Sequence, residues 1–288
     1  MTAKEKVDSS LKTRTKSALV FGPAVLIVLY FGGWAFNIMI AAGAGIATFE
    51  WARMVMIGSR PPRLLTRVAA AAVGVATLTT GLCMDADGFV RSPIVSFVCL
   101  MALTALVFLY NLFRKGPRFN QLLLGMLYVG FSMSVMIWLR NGSQDGLYHM
   151  LTVLFIVWAS DISAYFTGKA IGGPKLAPKI SPKKTWAGFA GSSVGAAIVA
   201  AGLACPDLQE YFHVHTAGHM GMAGYGAMGF VLGAFGQMGD LFKSIFKRHY
   251  GIKDMGALIP GHGGLFDRID ALLLVALVFG MGVMLAGA

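Results

Sequence analysis

A chain of 288 residues that is 56% hydrophobic and only 13% charged lacks the polar surface that a water-soluble domain of this length needs. Its mean hydropathy of +0.68 indicates an integral membrane protein. The net charge of +11 would suit nucleic acid, but its distribution along the chain argues against that partner, and three cysteines without metal-ligand spacing argue against a disulfide framework.

Residues 1–16, MTAKEKVDSSLKTRTK, form a basic tail, and no small-residue cleavage site follows the first apolar run, so a retained first helix is expected. Stretches long enough to cross about 30 Å of hydrocarbon lie near 17–33, 34–57, 68–84, 93–113, 120–139, 149–169, 186–204, 224–242 and 269–287. Only FGGW separates the first two. All 24 basic residues except Arg91 and Arg140 fall in the tail or at the connections after the second, fourth, sixth and eighth spans. The positive-inside rule makes that side cytoplasmic, with the N-terminus inside and the C-terminus outside. The predicted fold is therefore all-α, a polytopic membrane helix bundle of about nine transmembrane helices. The basic excess is mainly topological and also suits anionic lipid.

The acids sort differently. Asp85, Asp87, Asp145, Asp207 and Glu210 lie in outer loops, and Glu50 lies within the second span near its cytoplasmic end. Asp161, Asp240, Asp254, Asp267 and Asp270 gather in the second half of the chain, on or near its cytoplasmic side. Asp161 lies inside LTVLFIVWASDISAYFTGK, roughly 10 Å of helix from the cytoplasmic end. A carboxylate at that depth calls for a partner or a wet cavity, although an interhelical hydrogen bond would satisfy it too.

Asp240, Lys243, Ser244 and Lys247 form one stripe if the eighth helix continues. Such a stripe suits a cation and its phosphate, and equally a helix end with internal ion pairs. Asp267 and Asp270, at i and i+3, share a face of the ninth helix. Acids there complement the helix dipole, but two on one face, beside Arg268 and after PGHGG, suit a cation site with phosphate nearby. Gly261, Gly263 and Gly264 allow backbone N–H groups to approach an anion. KISPKKTWAG, residues 179–188, is expected to be a cytoplasmic loop whose Ser181, Lys183, Lys184 and Thr185 are phosphate-type ligands. The chain divides into the tail 1–16, N-terminal transmembrane helices over 17–145, and a C-terminal transmembrane region over 146–288 that holds the chemistry-bearing residues. This points to metal-assisted phosphate chemistry at the cytoplasmic face.

Residues 244–270, SIFKRHYGIKDMGALIPGHGGLFDRID, resemble the signature of the phosphatidate cytidylyltransferases, or CDP-diacylglycerol synthases. The elements are Ser244, Lys247-Arg248, Lys253-Asp254, His262-Gly263-Gly264 and Asp267-Arg268-Ile269-Asp270. GDLFKS, PKISPKKTWAG and WASDISAYFTGK extend the likeness, with Ile162 and Ser163 departing from the family's small hydroxyl and Gly. Motif similarity covers about 155–275, and the first half resembles the family only in being hydrophobic with several spans.

The resemblance implies that CTP and phosphatidate give CDP-diacylglycerol and pyrophosphate, with two Mg2+ ions. It implies catalytic roles for Asp161, Asp240, Asp267 and Asp270, the last three as metal ligands. Phosphates would be held by Ser181, Lys183, Lys184, Thr185, Lys243, Ser244, Lys247, Arg248, Lys253, His262, Gly263, Gly264 and Arg268. The expected setting is a bacterial-type inner membrane, with membrane lipid as a partner, a homodimer allowed and no nucleic acid. The rival reading is an ion-coupled transporter with Asp161 as an intramembrane relay, although the matching half-repeats it would favour are not visible.

Overall fold

The computed structural model describes residues 19–57, 63–83, 89–90, 93–114, 118–212, 221–256, 258 and 263–286. The tail 1–16 and His262 lie outside them. The elements in chain order are α1 (Leu19–Phe31), α2 (Gly33–Val55), α3 (Arg63–Leu82), α4 (Ile94–Arg114), α5 (Phe119–Asn141), α6 (Gly146–Ala170), β1 (Lys175–Ala177), β2 (Ser181–Thr185), α7 (Trp186–Leu203), α8 (Pro206–Tyr211), α9 (Met222–His249) and α10 (Phe266–Ala286). Among the described residues, six helices are long and apolar enough to cross a membrane: α2, α5, α6, α7, and the stretches Leu65–Leu82 of α3 and Phe266–Leu285 of α10. The protein is a polytopic membrane helix bundle. Shorter apolar helices, α1 and the Ile94–Leu109 part of α4, lie where the first and fourth spans are expected.

Two features depart from the linear reading. Hydropathy ends the eighth span near 242, whereas α9 runs on to His249. Its last turn carries His249 and the cations Lys247 and Arg248, which complement the negative end of a helix dipole. The expected loop at 179–188 is instead largely an antiparallel hairpin, with Lys175 opposite Thr185 and Ala177 opposite Ser181. Strands of three and five residues are too short to show a clear period-two pattern.

The chain forms two compact units. The first comprises 1–83, 92–134 and 250–269, and the second 84–91, 135–249 and 270–288, so the division passes within α5 and α10. In the first unit, α2 and α3 approach through small residues. A Cβ at Gly74 would lie 3.0 Å from the Ala41 carbonyl oxygen, and one at Gly45 would lie 3.2 Å from that of Ala70. This is the close approach that small residues four apart permit between membrane helices. Trp51 is fully buried, and its Nε1 donates to the Gln121 carbonyl at 2.8 Å.

In the second unit, α7 packs between α6 and α9. Thr185 caps α7, its Oγ1 accepting from the Gly188 N–H at 3.1 Å. On α9, a Cβ at Gly233 would sit 2.8 Å from the Ser192 carbonyl oxygen and 2.8 Å from the Ala196 Cβ. Gly233→Ala must push α9 off α7, which is expected to cost about 1–3 kcal/mol. A lower thermal midpoint of the detergent-solubilised protein checks this; an unchanged midpoint would show that the helices separate freely.

Candidate active site

The polar residues of the second unit converge along α9. Because α9 remains helical past residue 242, Gln237, Asp240 and Lys243 recur every three residues on one face. The hairpin feeds Lys184 toward that face from one residue before the Thr185 cap. Lys184 Nζ lies 2.7 Å from Asp240 Oδ2 and donates to Gln237 Oε1 at 2.8 Å. Gln237 Nε2 donates to Asp161 Oδ1 on α6 at 3.3 Å. Lys243 Nζ bridges Asp240 Oδ1 at 3.1 Å and Asp270 Oδ2 at 2.6 Å. The Lys243 and Asp270 side chains are only 8% and 9% exposed, so this pair is desolvated. The result is a continuous chain, Asp161, Gln237, Lys184, Asp240, Lys243 and Asp270, in which every carboxylate meets a hydrogen-bond donor.

Beside this chain lies a cavity of about 370 Å³, within the size range of small-ligand pockets. Asp161, Lys169, Lys183, Lys184, Gln237 and Asp240 supply its polar lining. The first unit holds a larger cavity of about 800 Å³ between α2, α3 and residues Gly256 and Leu258. Its lining is almost wholly apolar, with Glu50 and Arg53 as the charged residues, so it suits hydrocarbon rather than a polyphosphate.

The described part of the HGG and DRxD segment belongs to the first unit up to Ile269. Asp267 Oδ2 accepts from the Met255 N–H at 2.9 Å and from the Gly264 N–H at 3.4 Å. Gly263 adopts a φ of 86°, a left-handed conformation that favours glycine. Glu50 Oε1 and Oε2 accept from the N–H groups of Leu265 at 3.0 Å and Phe266 at 2.9 Å. The anion that Gly264 admits here is thus the chain's own Glu50: a Cβ at Gly264 would lie 2.6 Å from Glu50 Oε2.

The other expected phosphate ligands are spread around these groups. Ser181 is half-buried and Lys183 exposed on β2. Thr185 is buried and committed to its cap. Ser244 and Lys247 are half-buried on α9, and Arg248 is exposed, its Nε donating to the Ile180 carbonyl at 3.2 Å. Lys253 and Arg268 are exposed in the first unit. Gln237 and Glu50 were not among the expected site residues. Both carried a signal: Gln237 is an isolated amide three residues before Asp240, and Glu50 is the lone acid in the first five predicted spans.

Among the described residues, no cluster of three or more acidic, histidine or cysteine side chains is close enough to hold an ion by protein groups alone. Asp240 and Asp270 nevertheless converge on one cation, the Lys243 ammonium. Two carboxylates completed by substrate phosphate oxygens and water are what magnesium usually takes, so the donor set fits a metal brought in with a polyphosphate.

A membrane bundle in which carboxylates and lysines line one cavity suits an enzyme of phosphoryl or nucleotidyl transfer. The chain matches the cytidylyltransferase family over residues 12–285 and belongs to it. Similar curated proteins include the phosphatidate cytidylyltransferase of Brucella abortus, 35% identical over 269 residues, covering 93% of this chain and 91% of that one. Those of Bacillus subtilis (32% over 277 residues, 92% and 94%) and Haemophilus influenzae (31% over 278, 91% and 94%) are also similar. The expected kinship is borne out, and it reaches well beyond residues 155–275 into the N-terminal half.

Proposed function

We infer that the chain transfers the cytidylyl group of CTP to phosphatidate. A lipid phosphate oxygen bonds to the α-phosphorus, the bond from that phosphorus to the oxygen bridging to the β-phosphorus breaks, and CDP-diacylglycerol and pyrophosphate result. Family membership and the curated relatives support the reaction. The observation that carries the site is the chain of Lys184, Asp240, Lys243 and Asp270 beside the polar cavity. Nothing supports a transporter: Asp161 is joined through Gln237 to a lysine on that cavity.

In this reading Lys183 and Lys184 meet the triphosphate, and Lys243 orients Asp240 and Asp270. Lys247, Arg248, Lys253 and Arg268, with Ser181 and Ser244, are the further groups offered to the CTP and lipid phosphates. Asp240 and Asp270 are the residues that would hold magnesium, with Asp161 in support; for Asp267 a metal role rests on the family signature alone. Bound there, magnesium would neutralise charge on the transferred and departing phosphates. The lipid phosphate is already ionised near neutral pH, so the protein has little need of a strong base. Its work is positioning and preorganised charge, with Lys184 and Lys243 held in place before substrate arrives. The acyl chains stay in the bilayer; the distribution of basic residues supports a site on the cytoplasmic side, and the bacterial relatives fit a bacterial cell membrane.

The test is purified protein with phosphatidate, magnesium and each nucleoside triphosphate in turn. Pyrophosphate release with CTP, and not with ATP, GTP or UTP, is expected. Equal release with another base, or ion uptake by vesicles without CTP turnover, would overturn the assignment.

A further inference from the structure

Glu50 is a carboxylate only 5% exposed, carried on the membrane-spanning helix α2. An ionised carboxylate at such a position costs several kcal/mol unless it is compensated. Here its two oxygens take the N–H groups of Leu265 and Phe266, the donors at the start of α10. These are charge-assisted hydrogen bonds at the positive end of a helix dipole.

Ser, Thr, Asn or Asp just before a helix would cap locally, but on the N–H groups two or three positions further on, not on these two. The residue before α10 is Leu265, which has no side-chain acceptor. The cap therefore comes from 215 residues away. Two glycines make room for it: a Cβ at Gly256 or Gly264 would collide with the Glu50 carboxylate. The first turn of α10 also carries Asp267, which takes the Met255 and Gly264 N–H groups and so ties the same turn to the preceding loop.

We propose that Glu50 is a positioning residue for the reaction: from α2 it anchors the first turn of α10 and thereby sets Asp267 and Arg268 where substrate phosphate meets them. This rests on the cytidylyl-transfer reading. It also gives the N-terminal half, which lacks motif residues, a direct part in building the catalytic segment. Its effect runs through the backbone of Leu265 and Phe266.

The experiment uses the full-length protein in detergent micelles containing phosphatidate, comparing wild type with Glu50→Gln, Glu50→Asp, Gly264→Ala and the Glu50→Gln/Gly264→Ala double variant. Glu50→Gln keeps the shape but loses the charge and one acceptor. Its kcat is expected to fall roughly 10- to 100-fold, the scale of a small misplacement, with KM for CTP within about twofold of wild type. Glu50→Asp should regain part of the loss. Gly264→Ala should resemble Glu50→Gln, and the double variant should be little worse than either, because both break one contact. Hydrogen exchange at the Leu265 and Phe266 amides should rise in step with the loss of kcat.

Wild-type kcat in Glu50→Gln with faster exchange at those amides would overturn the proposal. So would additive losses, or a general fall in thermal midpoint with no local change in exchange. If a variant fails to fold, exchange and kinetics on the remaining single variants still decide the matter. Absence of pyrophosphate release from the wild type would instead sink the reaction assignment, and the proposed role with it.

Discussion

Asp240→Asn is expected to lower kcat by roughly 10²- to 10³-fold or more while leaving the protein in the membrane. Asp240 is the shared counter-charge of Lys184 and Lys243, at 2.7 and 3.1 Å. Asn has nearly the same shape, so the packing of α9 is undisturbed, but it cannot neutralise two ammoniums or offer a hard anionic ligand to a divalent ion. Both lysines would be left to re-pair, Lys184 with Gln237 and Lys243 with Asp270 alone. The preorganised geometry would be lost even though each group remains. The measurement is pyrophosphate release from equal amounts of membrane-integrated wild type and variant. Turnover within about threefold of wild type would remove Asp240 from the site, because one preorganised charged group at a phosphate centre is worth far more than that.

Lys243→Met is expected to destabilise the fold as well as inactivate it. Its side chain is 8% exposed and bridges two carboxylates, one of them 9% exposed. Breaking a buried ion pair from one side typically costs about 3–5 kcal/mol, because the surviving charge remains where water cannot reach it. The thermal midpoint of the solubilised protein should fall accordingly. Adding Asp270→Asn should recover much of the stability by removing the stranded charge, yet leave the enzyme inactive. Recovery of stability without recovery of turnover would separate the structural part of this pair from its chemical part. A Lys243→Met variant as stable as wild type would show that the pair contributes nothing to the fold.

The membrane class was legible in hydropathy, and the helices lie close to the predicted spans because apolar length alone decides whether a segment can cross a bilayer. The family was legible in residues 244–270, where side-chain types recur at fixed spacing. The Thr185 cap could have been read as well, since a threonine stands immediately before the seventh span. The hairpin could not, because strands of three and five residues are set by pairing rather than by their own pattern. Hydropathy marked only the apolar part of α9 and left its continuation open, because it stops at the charged turns that the helix itself runs through.

By itself, the sequence determined a bundle of membrane helices, the gathering of acids and lysines in the second half, and the chemistry those residue types permit. Only the tertiary structure decided which charges meet. Lys243 bridges Asp240 and Asp270, Lys184 reaches α9 from a hairpin, and Glu50 caps a helix 215 residues away. The physical reason is range. Helix formation and membrane insertion depend on neighbours along the chain, whereas an ion pair or a cap depends on a few ångströms between groups that the chain separates widely.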